Sequence, residues 1–140
     1  MIESYPYTAV VLCLGLIVYV WVTIRVGGAR AKFKIDAPTM TGPAEFERVI
    51  RVQANTVEQL VLFVPALLLF AAAWGDSPAA VVGVFWPIAR VLFAVRYAAG
   101  ANRSLGFGVS FIVSAILLVG GLVGAVMAAM EAMNGGMPQP

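Results

Sequence analysis

The chain has 140 residues, of which 61% are hydrophobic and 11% are charged, with a formal net charge of +2. Soluble domains carry about 25% charged residues and disordered chains are poor in hydrophobic ones, so the composition excludes both and predicts a small integral membrane protein. A single cysteine and the absence of histidine exclude a disulfide framework, cysteine- or histidine-based metal sites and histidine-dependent nucleophilic catalysis.

Four stretches of the chain are long and apolar enough to cross a bilayer, which takes about 20 residues of helix. We predict one all-α membrane domain, a bundle of four transmembrane helices over about residues 5–26, 44–74, 78–99 and 104–131. Glycine and proline breakers predict a polar loop over about residues 27–43. Pro65 and Pro87 are expected to kink their helices, and Gly120 and Gly124 have the spacing of a close-packing helix face.

The basic residues lie on one side of the predicted bundle. They follow the first helix, open the second and flank the turn after the third, whereas the opposite side carries Glu3, Asp76 and Glu131. By the positive-inside rule, loops one and three face the cytoplasm and both termini face the other side. Such a basic rim suits anionic membrane lipids. Nucleic acid is not expected as a partner, because the basic residues lie at membrane depth.

A polar stripe marks the second helix. Arg48, Arg51, Asn55 and Glu58 are three, four and three residues apart, which places them on one helical face. Ionisable groups at membrane depth are costly, and they face a bundle interior or an aqueous cavity.

The third helix supplies a matching set, Arg90, Phe93 and Tyr97, at spacings of three and four. Arg90 needs an anionic partner or water within the membrane, and Glu58 is the obvious candidate for the partner. The two stripes form either a structural ion-pair network or a ligand site, and we favour the ligand site because so many polar groups converge. The excess of Arg favours an anionic ligand with carboxylates that guanidinium groups bind bidentately, and leaves the Glu to hold an ammonium group.

The run FERVIRVQANTVEQLVLFVPAL resembles the signature of the MAPEG family, the membrane-associated proteins in eicosanoid and glutathione metabolism. The pattern Arg-x-x-Arg-x-x-x-Asn-x-x-Glu at 48–58 is its most specific part. The segment WPIARVLFAVRY resembles the family's third helix, the Asn-Arg-Ser at 102–104 resembles the Arg-Ser that opens its fourth, and RAKFKIDAPTMTGPAEFER resembles the loop of bacterial members. The resemblance covers nearly the whole chain, and the fourth helix matches in character.

This resemblance implies a homotrimer of four-helix subunits in a bacterial inner membrane, with both termini periplasmic. It implies that glutathione binds between adjacent subunits near the cytoplasmic face. By position, the residues expected to bind glutathione are Arg30, Arg48, Arg51, Gln53, Asn55, Glu58, Arg90, Phe93 and Tyr97. Arg103 is expected to face the sulfur, with Ser104 beside it. Phe93, Gln59 and Phe107 stand where some members have hydroxyl or imidazole side chains, which argues against specialised eicosanoid synthesis.

The implied chemistry agrees with the residues. Glutathione carries carboxylates, an ammonium group and a thiol, and guanidinium groups with one Glu suit the charged ones. A free thiol with a pKa of about 8.5 is mostly protonated at neutral pH, and a neighbouring guanidinium stabilises the thiolate without a base. The resemblance thus implies a transferase or peroxidase with glutathione as co-substrate and no metal, acting on lipophilic electrophiles or lipid hydroperoxides from the bilayer.

Two alternatives remain. The first is a non-catalytic lipid-binding or scaffold member of the same fold, against which the presence of Arg51, Asn55, Glu58 and Arg103 argues. The second is a small multidrug transporter, which is also a four-helix protein of about this length. Such a carrier binds cations at a membrane carboxylate, whereas here Glu58 is outnumbered by arginines.

Overall fold

The computed structural model describes residues 2–102 and 104–135, and it is an all-helical bundle. Its helices are α1 (Pro6–Phe33), α2 (Ala44–Trp74), α3 (Asp76–Gly83), α4 (Phe85–Ala98) and α5 (Ser104–Gly135). Helices α3 and α4 together make one span, so four segments are long and apolar enough to cross a membrane. The four predicted transmembrane helices are therefore confirmed, and α5 extends beyond its expected end near residue 131.

Helix α2 lies at the centre of the bundle and contacts each of the other helices. Its buried face includes Leu60, Phe63, Leu67 and Ala71, at the spacing of one side of a helix. The Phe63 ring stacks on that of Trp86 in α4, with centroids 4.4 Å apart and planes inclined by 8°. Both side chains are fully buried, so this aromatic pair anchors α4 against α2.

Helix α1 is longer than the sequence indicated. It continues through Gly27 and Gly28, so the expected loop over residues 27–43 is wrong in its first part. Each glycine in a helix interior costs about 1 kcal/mol relative to alanine. The helix persists because Ala29 is buried in a cluster with Phe46 of α2, and this tertiary packing outweighs the local preference of the glycines.

The two membrane prolines behave differently. The third span is interrupted at Val84, between α3 and α4. Pro87 lacks an N–H group, and its ring opposes the carbonyl four residues earlier, at Gly83, where α3 ends. Pro65 lies inside α2, which continues through it without interruption. The third span is therefore interrupted just before its proline, whereas α2 is one helix, and the kinks expected at Pro65 and Pro87 stay predictions.

The carboxylate of Asp76 holds the start of α1. Its two oxygens accept hydrogen bonds from the backbone N–H groups of Tyr7 (2.9 Å) and Thr8 (2.7 Å). These N–H groups belong to the first helical turn, where no carbonyl of the same helix is available to them. A carboxylate is also favoured at the positive end of a helix. Asp76 thus joins the beginning of the third span to the beginning of the first.

Helix α5 runs very close to α4 near its N-terminal end. A Cβ atom at Gly106 would lie 2.6 Å from the backbone nitrogen of Phe93 and 2.8 Å from the backbone oxygen of Ala89. Backbone atoms inside a helix cannot move aside, so this position accepts no side chain. The close approach brings the first turn of α5 next to Phe93 and so sets the position of the α4–α5 connection.

Further along, α5 packs against α2. Gly120 and Gly124 lie against Phe70 and Ala73 of α2, so the close-packing face predicted from their spacing is confirmed within the subunit. The backbone carbonyl of Gly120 also accepts a hydrogen bond from the indole of Trp74, at 2.9 Å. Small residues therefore let α5 contact α4 at one end and α2 at the other.

Replacing Gly106 by alanine should destabilise the bundle by about 1–3 kcal/mol, the usual range for overpacking. The matched control is Gly108→Ala on the same helix, since no described atom lies within 4 Å of a Cβ there and alanine favours helix over glycine by up to about 1 kcal/mol. Thermal unfolding of both variants in detergent measures the difference. Equal midpoints would contradict the close approach of α4 and α5.

Candidate functional site

A cavity of about 550 Å³ lies between α2, α4 and the start of α5. Small-molecule sites typically have volumes of about 300–1,000 Å³, so this one is large enough for a tripeptide-sized ligand. Its lining residues are Arg51, Ala54, Asn55, Glu58, Phe93, Tyr97, Asn102, Ser104 and Phe107. The structure therefore brings six of the sequence-predicted site residues together, namely Arg51, Asn55, Glu58, Phe93, Tyr97 and Ser104.

The polar side of the cavity comes from α2. Arg51, Asn55 and Glu58 share a helical face, as their spacing predicted, while Val52 and Thr56 on the adjacent face are buried. Arg51 and Glu58 are exposed in the single subunit, and Asn55 is half-buried. Helix α2 thus presents a cation, an amide and an anion along one side of the cavity. Their role in binding remains a prediction.

Arg90 lies behind this polar side and is 0% exposed. Its guanidinium donates one hydrogen bond to Asn55 Oδ1 (3.1 Å) and another to Thr56 Oγ1 (2.8 Å). The Cζ atom lies 4.2 Å from the centroid of the Phe93 ring, a cation–π contact. Arg90 therefore joins α4 to α2 and supports two cavity-lining residues, Asn55 and Phe93, from within the core.

Glu58 makes no direct salt bridge to Arg90, although its negative charge acts on the buried guanidinium through space, as expected of an anionic partner. In the part of the chain that the structure describes, the one ion pair joins Lys32 to Glu45. Asn55 connects Arg90 to Glu58, because the Asn55 Nδ2 donates a hydrogen bond to Glu58 Oε2 at 3.4 Å. Because Asn55 accepts from Arg90 with its oxygen, its amide nitrogen is turned towards Glu58. The buried cation thus orients the amide and, through it, the carboxylate at the cavity.

The other side of the cavity is aromatic. The rings of Phe93 and Tyr97 in α4 stack with centroids 5.6 Å apart. On α5, the Phe107 ring lies parallel to that of Phe111, with centroids 6.3 Å apart. Both Phe107 and Phe111 are exposed on the outside of the helix. An apolar surface therefore leads from the cavity along the face of α5 that the single subunit leaves uncovered.

Two predicted site residues lie away from the cavity. Arg30 donates to the backbone oxygen of Thr39 at 2.8 Å, so it holds the connection between α1 and α2. Gln53 donates to the hydroxyl of Tyr19 at 3.2 Å, which joins α2 to α1. Neither side chain lines the cavity of this subunit. Their expected part in binding stays a prediction, because the ligand is expected to lie between adjacent subunits.

The connection between α4 and α5 forms one end of the cavity. Ser104 begins α5, and its backbone N–H donates to the side-chain oxygen of Asn102 at 2.9 Å, as in helix capping. Both residues line the cavity. Arg103, predicted to face the sulfur, lies outside the described residues. Arg48 lies near this end, where its Nε donates to the backbone oxygen of Ala98 at 3.3 Å.

Several residues that help to build the site are not among those predicted from the sequence. Asn102 lies two residues before the start of α5 and accepts from the backbone N–H of Ser104, a bond that Asn side chains commonly make two positions on, so its residue type is a usable signal. Thr56 cannot be recognised from the sequence, because its role is to accept a hydrogen bond from the buried Arg90 guanidinium of another helix. Gly106 is one of 14 glycines, and only the approach of α4 distinguishes it from the others.

Comparisons with known proteins agree with this architecture. A family described as the MAPEG family matches residues 8–123 of the chain, a segment that includes every residue lining the cavity. An uncharacterized protein of Synechocystis sp. is 42% identical over 118 residues, which cover 84% of this chain and 86% of that protein.

Two enzymes are also similar to the chain. Leukotriene C4 synthase of Rattus norvegicus is 33% identical over 105 residues, 75% of this chain and 70% of the enzyme. Microsomal glutathione S-transferase 2 of Mus musculus is 37% identical over 103 residues, 71% of this chain and 69% of the enzyme. In each comparison the similar segment therefore covers most of this chain and most of the enzyme.

The buried hydrogen bond between Arg90 and Thr56 should contribute measurably to stability. Thr56→Val keeps the side-chain volume but leaves a buried guanidinium N–H without its acceptor, which costs about 1–3 kcal/mol or more. Thr23→Val is the matched control, because the exposed Thr23 hydroxyl donates to the Tyr19 carbonyl of its own helix at 2.9 Å. Thermal unfolding in detergent should show a lower midpoint for Thr56→Val, and equal midpoints would contradict the assigned bond.

Proposed function

Since this chain belongs to the MAPEG family, we propose that it is a glutathione-dependent membrane transferase or peroxidase acting on lipophilic electrophiles or lipid hydroperoxides. The chain is an integral membrane protein with four apolar spans. The observation that carries the proposal is the cavity that Arg51, Asn55, Glu58 and Ser104 line together. The similarity to proteins named leukotriene C4 synthase and microsomal glutathione S-transferase 2 supports it.

The polar side of the cavity suits the peptide part of glutathione. Arg51 would bind a carboxylate through two parallel N–H donors, the strongest kind of charge-assisted hydrogen bond. Glu58 would hold the ammonium group, and the Asn55 amide would bond to the peptide between them. Because Arg90 fixes the orientation of Asn55, these groups are arranged before the ligand arrives, which lowers the entropy cost of binding.

The sulfur of glutathione would lie at the end of the cavity where α5 begins. Ser104 lines that end, and we assign to Arg103 the stabilisation of the thiolate by its positive charge. In conjugation, the thiolate forms a bond to an electrophilic carbon, and the leaving group departs with its electron pair. In peroxide reduction, the thiolate sulfur attacks the terminal peroxide oxygen, the O–O bond breaks, and the departing alkoxide takes a proton from water to become the alcohol. The sulfur is oxidised to a sulfenic acid, which a second glutathione thiol converts to a disulfide and water.

The lipophilic substrate would reach the thiolate from the bilayer. Phe93 and Phe107 line the cavity opposite the polar side, and Phe111 extends the aromatic surface along the outside of α5. Apolar molecules dissolved in the membrane can follow this surface without meeting water. The arrangement separates a polar compartment for the peptide from an apolar one for the electrophile, with the sulfur between them.

We also propose that the subunits assemble as a homotrimer with glutathione between neighbours. Arg51 and Glu58 are exposed in the single chain, although they belong to a helix long enough to cross the membrane. Ionisable side chains that face lipid are costly, so a neighbouring copy is needed to cover them. In the proposed bacterial inner membrane, basic loops facing the cytoplasm would open the site to cytoplasmic glutathione.

Glutathione binding tests the assignment of the polar side. Arg51→Ala removes a charge-assisted hydrogen bond of about 1.5–3 kcal/mol, which corresponds to about 10- to 150-fold weaker binding. Arg25→Ala is the matched control, because the Arg25 guanidinium lies over the Trp21 ring of α1, 5.1 Å from its centroid, and outside the cavity. Calorimetry in detergent measures both. Unchanged affinity in Arg51→Ala contradicts the assignment, and a wild-type protein that binds no glutathione favours the scaffold alternative.

Ionisation of the bound thiol tests the role of Arg103. Mixing wild-type protein with glutathione in a stopped-flow instrument should produce the ultraviolet absorbance of the thiolate. Arg103→Ala should raise the pKa of the bound thiol and reduce that absorbance, each pKa unit being about 1.4 kcal/mol of lost stabilisation. Arg103→Lys keeps the charge and should retain part of the signal. If Arg103→Ala matches the wild type, another group ionises the thiol.

A further inference from the structure

The α4–α5 turn (residues 99–102) is held in one conformation by its own backbone. The N–H of Ala101 donates to the Arg96 carbonyl at 2.9 Å, and the N–H of Gly100 donates to the Tyr97 carbonyl at 3.0 Å. This pair of bonds, with Gly100 at φ 74°, is the glycine-terminated Schellman ending of a helix. The motif reverses the chain sharply and fixes the direction in which it leaves α4 for the cavity.

Arg48 ties this turn to α2. Its Nε donates to the Ala98 carbonyl at 3.3 Å, one of the last carbonyls of α4. The guanidinium also lies against Gly100, since a Cβ there would be 3.7 Å from the Arg48 Cζ. A cation is favoured at the negative end of a helix. Arg48 therefore connects the helix that carries Arg51, Asn55 and Glu58 with the turn at the other end of the cavity.

Arg96 holds the far side of the same turn. Its Nε donates to the backbone oxygen of Asn102 at 3.0 Å, while the side-chain oxygen of Asn102 accepts from the N–H of Ser104 at 2.9 Å. Asn102 is thus fixed at its carbonyl by α4 and at its side chain by α5. A continuous series of contacts runs from α2 through the end of α4 to the first residue of α5.

We propose that Arg48 and Arg96 are positioning residues whose Nε–H groups fix the α4–α5 turn, and with it Asn102 and Ser104, at the sulfur end of the cavity. This inference rests on the proposed function for its effect on glutathione, and it reassigns Arg48, which the sequence placed among the ligands. Loss of either bond leaves Arg51 and its neighbours on α2 in place. The affinity for glutathione with a protonated thiol should then persist while ionisation of the bound thiol declines.

A pair of substitutions separates hydrogen bonding from charge. Glutamine carries its Nε2 on Cδ, as arginine carries its Nε, so Arg48→Gln and Arg96→Gln keep a donor at that place and lose the charge. Arg48→Lys and Arg96→Lys keep the charge and place a methylene there. If the turn is held by the Nε–H bonds, glutamine replaces arginine better than lysine does. If the guanidinium groups act on a thiolate by Coulomb attraction, the order is reversed.

Hydrogen–deuterium exchange of the full-length protein in detergent, without glutathione, tests the turn directly. Peptides that cover residues 99–105 should exchange about two- to tenfold faster in the lysine variants than in the wild type, because one hydrogen bond no longer opposes local opening. The glutamine variants should exchange like the wild type. Uniform exchange in all variants, or faster exchange in the glutamine variants alone, overturns the proposal whatever the protein does with glutathione.

The pH dependence of thiolate formation tests the consequence for the site. In the lysine variants the profile should move to higher pH, with about two- to tenfold less thiolate near neutral pH and an unchanged Kd for glutathione at a pH low enough to keep the bound thiol protonated. Arg25→Lys and Arg25→Gln serve as controls outside the cavity. Thiolate that survives in the lysine variants and is lost in the glutamine variants overturns the positioning role. A wild type that forms no thiolate, but shows the expected exchange pattern, refutes the proposed function and retains the assignment of the turn.

Discussion

The buried guanidinium of Arg90 is the interaction around which the rest of the bundle is organised. A charge inside a membrane protein is costly unless hydrogen bonds and polarisable groups surround it. Here Asn55 and Thr56 accept its hydrogen bonds, and the Phe93 ring lies 4.2 Å from its Cζ. Because these partners belong to α2 and α4, the contacts hold the two helices in a fixed rotation relative to each other, which places the polar face of α2 at the cavity.

Close packing of α5 against α4 forms the remaining end of the cavity. Gly106 lets α5 lie against the α4 backbone, and the first turn of α5 then closes one end of the cavity with Ser104. The three contributing elements have separate tasks in the proposed chemistry. Helix α2 provides the polar groups for a peptide, the α4–α5 turn provides the sulfur end, and the aromatic residues of α4 and α5 form the wall for a lipophilic molecule.

The spans and the polar stripe could be predicted from the sequence because both depend on local geometry. A helix places residues three and four positions apart on one face whatever surrounds it. The spacing of Arg51, Asn55 and Glu58 therefore correctly predicts that they share one face of α2. Gly27 and Gly28 predicted a loop that the structure does not have, because the cost of a glycine inside a helix is only about 1 kcal/mol. Burial of Ala29 against α2 outweighs that cost, and no local pattern reveals it.

The membrane setting, the number of spans and the order of side chains along each helix follow from local sequence, since hydrophobicity and helical periodicity act within one segment. Which partner each side chain contacts depends on how the helices pack. Arg48 and Arg51 are one helical turn apart, yet Arg51 lines the cavity and Arg48 binds the end of α4. That difference depends on how α2, α4 and α5 are rotated and how closely they approach, which is fixed by contacts between residues distant in sequence.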